Sequence, residues 1–136
     1  MYSVKEISDI VGLTEHTIRF YTDKGLVPSV TRDRNNNRLF DEESINWLTG
    51  VKYLKECGMS IEAIKDYVDL CLEGNSTIEQ RYQIVLSQKA AAEEQLRSAQ
   101  ERIEYLNAKI AFYQDIMEHN KPDFMNPGTW QTKDVG

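Results

Sequence analysis

The last third of the chain carries apolar residues at a spacing that a single helix cannot bury. Between residues 82 and 117, eleven positions are separated alternately by three and four residues, and all but Lys89 are apolar or aromatic. A repeat of 3.5 residues is the pattern of a coiled-coil seam, which needs a partner helix to cover it. The sequence therefore predicts a dimer through one long helix, with a seam formed by Tyr82, Val85, Lys89, Ala92, Leu96, Ala99, Ile103, Leu106, Ile110, Tyr113 and Met117.

The seam is narrow in its middle and broad at both ends. Its middle holds alanines flanked by glutamines, whereas Val85 and Leu86 widen one end and Phe112 and Tyr113 widen the other. In an antiparallel pair, the broad start of one helix would lie beside the broad end of the other. We therefore expect an antiparallel coiled coil, and a parallel pair with two separate broad ends is the open alternative.

Composition limits what the chain can be. A length of 136 residues allows one small domain with an appendage, and 40% apolar with 28% charged residues is typical of a folded protein. No apolar run approaches the roughly 20 residues that span a bilayer, and the N-terminus lacks the apolar region of a leader peptide. We expect a cytoplasmic protein without membrane contact, in which Cys57 and Cys71 are thiols rather than a disulfide.

Positive charge is concentrated in one short segment. The whole chain has a net charge of -6, which argues against nucleic acid as a partner. Residues 19–40, however, hold five arginines and lysines against two aspartates. A local basic stripe matters more for phosphate binding than the charge of the whole chain.

Two short helices with a tight turn between them are predicted at the N-terminus. Ser3 and Glu6 form a capping box before the first helix, and Gly12 ends it. Thr14 is the expected N-cap of a second helix, which covers residues 15–24. These are the proportions of a helix-turn-helix motif.

A hairpin and three further helices are predicted after this motif. Residues 29–40 contain three successive asparagines, which tolerate positive φ and therefore suit a hairpin turn. Asp41 and Ser60 are the expected N-caps of a third and a fourth helix. Residues 76–79 are a second capping box, and they open the seam helix, which continues for about 40 residues, or roughly 60 Å.

The second helix and the hairpin hold the sharpest chemical cluster. His16, Thr17, Arg19 and Tyr21 carry donors for DNA bases and phosphates, and Arg38 suits a hairpin that grips the flanking DNA backbone. A dimer would carry two identical N-terminal domains, here called heads, and these would match two DNA half-sites. Solvated surface is the alternative for the polar side chains. The apolar neighbours are expected in the core, namely Ile18, Phe20, Leu39 and Phe40.

These segments resemble one regulator family. The stretches GLTEHTIRFYTDKGLVP, RNNNRLFDEESINWL and LKECGMSIEAIKDYV are similar to the head of the mercury-resistance regulator (MerR) family, and the resemblance covers residues 2–73. It implies a mainly all-α fold with three parts. These are a winged helix-turn-helix DNA-binding domain in residues 1–75, an antiparallel coiled-coil dimerisation helix in residues 76–120 and an irregular tail in residues 121–136.

The resemblance also implies a function. Such homodimers bind double-stranded, pseudo-palindromic promoter DNA and bend and untwist its long spacer so that RNA polymerase can engage. His16 and Thr17 would face the major groove, Arg19 and Tyr21 would hold phosphates, and Ser60 would present a helix N-terminus to a phosphate. The full set of implied DNA-binding residues is Thr14, His16, Thr17, Arg19, Phe20, Tyr21, Lys24, Arg38, Lys55 and Ser60.

Two departures from the family pattern affect this set. Phe20 replaces the more usual tyrosine and so lacks its hydroxyl group. Asn37 replaces the usual aromatic residue of the wing, so the wing is expected to contact DNA more weakly or at another place.

The sequence indicates the DNA-binding function more clearly than the signal to which such a regulator would respond. The branch that this chain most resembles contains regulators of aldehyde and thiol stress, and its reactive cysteine would fall at Tyr53. Cys57 lies one helical turn later, which departs from the pattern of that branch. Cys57 and Cys71 are the candidate thiol sensors of this chain, with small packed residues as the alternative for each. Without a cysteine after Cys71, we expect no metal site, and we expect no cofactor. An electrophile or another small-molecule effector is the remaining class of signal.

Two other classes of protein are alternatives to a DNA-binding regulator. An enzyme would need a triad, a carboxylate pair or a metal cluster, and two histidines with dispersed acids supply none of these. A coiled-coil interaction adaptor that does not bind DNA is the alternative that the sequence leaves open.

Overall fold

The computed structural model describes residues 1–130, and it is mainly helical, as predicted. A single small hairpin interrupts the helices of this part of the chain. The elements are α1 (Val4–Val11), α2 (Glu15–Asp23), β1 (Thr31–Arg32), β2 (Arg38–Leu39), α3 (Glu42–Glu56), α4 (Ile61–Glu73) and α5 (Ile78–His119), with short 3₁₀ turns at Asn75–Thr77 and Pro127–Thr129.

Local capping explains where the first helices begin and end. The Ser3 hydroxyl accepts a hydrogen bond from the Glu6 N–H at 3.1 Å, and the Glu6 carboxylate accepts one from the Ser3 N–H at 3.1 Å. The hydrogen bond from the Ser3 backbone lowers the pKa of Glu6. Gly12 ends α1 with a φ of +73°, a conformation that glycine adopts without strain. The predicted capping box is therefore confirmed.

The hairpin is closed by an aspartate that holds the asparagine turn. One Asp33 carboxylate oxygen accepts hydrogen bonds from the backbone N–H groups of Asn35 and Asn37, both at 2.9 Å. These bonds, chiefly that from Asn37, lower the pKa of Asp33. Asn36 adopts a φ of +63°, so the asparagine run supplies the left-handed residue that the turn needs. The strands pair antiparallel, with Arg32 opposite Arg38.

Helices α1 to α4 and the end of the hairpin share one apolar core. Phe40, at the end of the hairpin, is fully buried, and its backbone pairs with Tyr2 before α1. Trp47 of α3 donates its indole N–H to the Leu26 carbonyl, which ties α3 to the segment after α2. The fully buried large apolar side chains are Ile7, Ile18, Leu26, Phe40, Leu48 and Ile64.

The start of α5 differs from the prediction. The expected capping box at residues 76–79 is wrong, because Ser76 lies inside the 3₁₀ turn Asn75–Thr77 and not at the N-cap of α5. Thr77 is buried instead, and its hydroxyl donates to the carbonyls of Leu70 and Gly74. Arg81 donates to the Thr77 hydroxyl at 2.9 Å and to the Gly74 carbonyl at 3.0 Å. Side chains from α5 therefore bond to the end of α4, which local sequence could not indicate.

The described chain forms two compact units, the first of which contains residues 1–93 and the second of which begins at Glu94. The first unit contains the core and the first turns of α5, including Ile84, which packs against the core. In the second unit, the rings of Phe112 and Phe124 meet edge to face with centroids 5.6 Å apart. Trp130 donates its indole N–H to the Phe124 carbonyl at 2.7 Å. The predicted boundaries at residues 75 and 120 stay predictions, and the tail beyond residue 130 lies outside the described residues.

The apolar seam of α5 faces solvent in the single chain. Most of its large side chains are about half exposed or more, from Tyr113 at 47% to Met117 at 75%. An apolar stripe of this length needs a cover. The exposed large seam residues are Tyr82, Val85, Leu96, Ile103, Leu106, Ile110, Tyr113 and Met117. Within residues 1–130, no helix combines the length and apolar character that crossing a membrane requires.

Candidate nucleic-acid interface

The first turn of α2 presents polar side chains outward. Thr14 is its N-cap, and the Thr14 hydroxyl accepts a hydrogen bond from the Thr17 N–H at 3.1 Å. The same hydroxyl donates to the Thr17 hydroxyl at 2.8 Å, which orients both side chains at the start of the helix. His16 lies between them and is exposed. The two residues predicted to read bases, exposed His16 and half-buried Thr17, thus lie in the N-terminal turn of α2.

The next turn of α2 places a cation and an aromatic ring at the surface. Arg19 is exposed and reaches Glu15, one turn earlier, at 3.5 Å. A solvated pair at that distance is weak, so the guanidinium can exchange Glu15 for another anion. Phe20 is 40% exposed, and the Lys24 ammonium lies 5.6 Å from the centre of its ring. The expectation that Phe20 is a core residue is wrong, because Ile18 and Tyr21 occupy the buried face of the helix.

Tyr21 faces the core. Its side chain is only 6% exposed, and burial raises the pKa of its hydroxyl. The phosphate contact implied for Tyr21 by resemblance stays a prediction, and the ring already has a packing role. Arg19, two residues earlier, has the more accessible side chain for a phosphate.

The hairpin is bonded to α2 through Arg38. Its guanidinium contacts the Asp23 carboxylate at 2.6 Å, and its side chain is only 16% exposed. Arg38 therefore holds the hairpin beside α2. Sequence reasoning selected Arg38 for DNA and left out Arg32, which is exposed and donates to the Asn36 carbonyl at 2.9 Å.

A polar cleft of about 300 Å³ lies between α1, α2 and the hairpin. Its cations come from three separate elements, which explains why no single motif marked it. Acidic Glu15 and Asp33 also line the cleft. The cationic lining residues are Lys5, Arg19, Arg32 and Arg38. The sequence analysis did not select Lys5 or Arg32 as DNA-binding residues. The predicted hairpin could have indicated Arg32, because Arg32 lies opposite Arg38 on the neighbouring strand.

The first turn of α4 lies beside the end of α2. Ser60 is the N-cap of α4, as predicted, and its hydroxyl accepts from the Ala63 N–H at 3.0 Å. Lys24 shares a shallow groove with Ile61 and with Lys65. Lys55, at the end of α3, donates to the Met59 carbonyl at 3.4 Å and so supports the loop before Ser60. The groove therefore places the Lys24 side chain near the first turn of α4, together with the acidic side chains of Glu62 and Asp66.

The two cysteines occupy different surroundings, and both are half-buried. Cys57 is the C-cap residue of α3, and its backbone N–H donates to the Tyr53 carbonyl at 3.0 Å. Cys71 lies one turn after Tyr67 on α4. The pKa of the Tyr67 hydroxyl is raised, first by burial and second by the adjacent Cys71 side chain. Among residues 1–130, no three His, Cys, Asp or Glu side chains are placed to hold a metal ion.

Comparison with known families decides what kind of head this is. Residues 2–71 match the MerR HTH family of regulatory proteins. The chain belongs to the MerR family. The family match spans the α1–α2 motif, the hairpin, α3 and most of α4, which are the elements that form the polar cleft and the α4 groove.

Relatives of this MerR-family chain are transcriptional regulators. An HTH-type transcriptional regulator of Haemophilus influenzae is 33% identical over 83% of this chain and 84% of its own length. The regulator AdhR of Bacillus subtilis is 36% identical over 64% of this chain and 62% of its own length. These relatives and the family are regulators and not enzymes.

Solved structures extend the similarity to the long helix. HiNmlR, a MerR family regulator lacking the sensor domain and bound to promoter DNA, is 32% identical with a TM-score of 0.79, over 86% of this chain and 93% of that one. A MerR family regulator from Bacillus thuringiensis is 31% identical with a TM-score of 0.75, over 82% and 98%. The regulators of aldehyde and thiol stress that the sequence resembled are the AdhR- and NmlR-like branch of the family. AdhR and HiNmlR are relatives of this chain, so that prediction is confirmed.

Proposed function

We propose that this MerR-type transcriptional regulator binds pseudo-palindromic promoter DNA as a homodimer and distorts the DNA between the two half-sites. The observation that carries the proposal is the concentration of accessible cations and donors on α2, the hairpin and the start of α4, in a chain with a net charge of -6. The similarity to HiNmlR, which was solved on promoter DNA, supports the same face.

Each side chain has a proposed task on the DNA. His16 and Thr17 enter the major groove, where side-chain donors and acceptors can distinguish base pairs. Arg19 and Arg32 hold phosphates beside the groove, and contacts of this kind set the position of the protein on the duplex. The N-terminus of α4 at Ser60 receives a further phosphate. Supporting contacts come from Thr14, Phe20, Tyr21, Lys24, Arg38 and Lys55.

The second copy is bound through the seam of α5. Seam side chains that are about half exposed in one chain would be covered by the same stripe of another chain. We propose the antiparallel arrangement, because both ends of the seam are broad and its middle is narrow. Bending and untwisting the DNA costs a few kcal/mol, which contacts from both heads would offset.

The remaining parts of the proposal follow from the family. Distortion of the spacer would let RNA polymerase engage the promoter, and a regulator of this kind acts in the cytoplasm, where its DNA is. The signal would be an electrophile or another small molecule, with the thiols of Cys57 and Cys71 as the candidate targets of an electrophile. The adaptor alternative is not favoured, because the family and the relatives are transcriptional regulators.

DNA binding can be tested with the duplex that lies upstream of the protein's own gene. Fluorescence anisotropy would be measured on this duplex and on a scrambled one, between 50 and 200 mM salt, and a steep loss of affinity with salt is expected. Arg32→Gln should reduce the salt slope by about one released ion. Arg97→Gln is the matched control, since Arg97 is an exposed arginine on α5 that pairs with Glu94 and Glu101. Equal affinity for both duplexes with no effect of Arg32→Gln would contradict the proposal.

A further inference from the structure

A short turn joins α1 to α2 and sets the direction in which α2 starts. Gly12 and Leu13 form this turn, and Thr14 then caps α2. The Gly12 N–H donates to the Ser8 carbonyl at 3.0 Å, and the Ser8 hydroxyl donates to the Leu13 carbonyl at 2.5 Å. The first turn of α2 follows directly, so the position of His16 depends on the position of this turn.

Lys52 of α3 bonds to the end of α1 just before the turn. Its ammonium donates to the carbonyl of Val11, the last residue of α1, at 3.1 Å. The last carbonyls of a helix have no partner within it and form the negative end of its dipole. The last turn of α1 contains no basic residue, so Lys52 supplies the positive charge from 41 positions further along the chain. A charge-assisted hydrogen bond therefore holds α1 and its turn against α3.

Gly12 leaves room for the Lys52 ammonium. A Cβ atom built at Gly12 would lie 3.3 Å from Lys52 Nζ, which is closer than the usual contact distance of about 3.5–4.0 Å. The Lys52 side chain is half-buried. The polar cleft takes its cations from α1, α2 and the hairpin. The Lys52 ammonium thus belongs to the turn and not to the surface proposed to contact DNA.

We propose that Lys52 is a positioning residue for base reading, which acts through the α1–α2 turn and does not contact DNA. This inference rests on the proposed function, in which His16 and Thr17 enter the major groove. Hydrogen bonds form only over about 2.7–3.2 Å between heavy atoms, so a displacement of about 1 Å at the start of α2 breaks contacts with base edges. The bond from Lys52 to Val11 holds the turn within that tolerance.

Contacts with phosphates depend less on this positioning. An arginine side chain is long and flexible, and the attraction of a cation to the DNA backbone does not require one exact geometry. Losing the Lys52 ammonium should therefore weaken binding to the correct sequence more than binding to any other sequence. The salt dependence should stay the same, because it reports the number of phosphates that are neutralised. Arg19→Ala should have the opposite signature.

Lys52→Met removes the ammonium and keeps a side chain of similar shape. Fluorescence anisotropy between 50 and 200 mM salt would compare the duplex from upstream of the protein's own gene with a scrambled duplex. The Kd for the upstream duplex should rise about tenfold, and the Kd for the scrambled duplex should change less than about twofold. Lys52→Arg can donate to the same carbonyl and should restore most of the affinity. Lys109→Met, at an exposed lysine of α5, is the matched control and should bind both duplexes like the unaltered chain.

A double-mutant cycle tests whether Lys52 acts through α2. The losses of two independent substitutions multiply in Kd, whereas substitutions that affect the same contact do not. His16→Ala combined with Lys52→Met should therefore bind the upstream duplex little more weakly than His16→Ala alone. Full multiplication of the two losses would show that Lys52 does not act through His16.

The outcomes separate a positioning role from a phosphate contact and from simple loss of folding. Equal losses on both duplexes with a reduced salt slope would make Lys52 a phosphate ligand, and an unchanged Kd for the upstream duplex would remove its role. Each Kd is referred to the fraction of molecules that bind in a stoichiometric titration, so partly unfolded protein does not imitate the effect.

A second variant tests the same turn if Lys52→Met does not fold. Ser8→Ala removes the hydrogen bond from the Ser8 hydroxyl to the Leu13 carbonyl. It should also weaken binding to the upstream duplex alone, and an equal loss on both duplexes would overturn the inference. If the unaltered chain binds both duplexes equally well, the proposed function fails and not the role of Lys52 within it.

Discussion

Replacing Ile103 and Leu106 with aspartate should convert the dimer to monomers. The two side chains are 56% and 53% exposed in the single chain, so roughly half of each surface is left for a partner to cover. Burying a side chain of this size completely contributes about 1.5–3 kcal/mol, so covering half of four such side chains contributes about 3–6 kcal/mol per dimer. That loss corresponds to a rise of about 10²- to 10⁴-fold in the dimer Kd.

Sedimentation velocity over a dilution series measures this change directly. The matched control is Ala90→Asp combined with Ala111→Asp, which adds the same two charges to α5 at exposed positions off the seam. The control should dimerise like the unaltered chain, because its two aspartates lie off the seam. Ala→Asp costs at least as much helix propensity as Ile→Asp or Leu→Asp, so a loss of dimer in the seam variant alone would not be an effect of propensity. The seam variant should also lose specific DNA binding, because one head contacts one half-site. A seam variant that sediments as a dimer at the same concentrations as the control would refute the seam as the interface.

Five further substitutions have distinct expected results. Arg19→Ala should weaken binding to every duplex and flatten the salt dependence measured by anisotropy, because one phosphate contact is lost. His16→Ala should instead change the preferred base at one half-site position, with a loss of about 1–3 kcal/mol of discrimination in competition assays; equal losses on operator and random DNA would remove its base-reading role. Cys57→Ser should bind promoter DNA but not respond to an aldehyde or thiol oxidant in a transcription assay, whereas Cys71→Ser should respond normally; a response in the double variant would make both thiols structural. Thr77→Val should lower the free energy of unfolding in urea by about 1–3 kcal/mol, because it leaves buried polar partners unsatisfied, and an unchanged midpoint would show that these hydrogen bonds contribute little.

Much of the head could be predicted from sequence because short-range chemistry sets the ends of its elements. The Ser3 capping box, the caps at Asp41 and Ser60 and the asparagine turn depend on residues at most four apart. Such patterns need no knowledge of the tertiary fold. The family resemblance then supplied the arrangement of these elements, which the similarity to solved structures of MerR family regulators confirms.

The predictions that were wrong concern residues whose environment is set by packing between distant parts of the chain. The capping box expected at residues 76–79 is displaced by the burial of Thr77 against the end of α4. Phe20 was assigned to the core because it is apolar, yet the buried stripe of α2 is already filled by its neighbours. The contact of Arg38 with Asp23 joins residues 15 positions apart in sequence, and no local pattern reveals it.

Selection of binding sequences from a random duplex library tests the central claim most directly. A homodimer with one recognition helix per protomer should enrich sequences that contain two inverted copies of one half-site. The Ile103→Asp, Leu106→Asp variant should lose this enrichment, while the Ala90→Asp, Ala111→Asp control should keep it. Enrichment of a single unsymmetric motif, or no enrichment by the unaltered chain, would contradict a two-fold symmetric DNA-binding dimer.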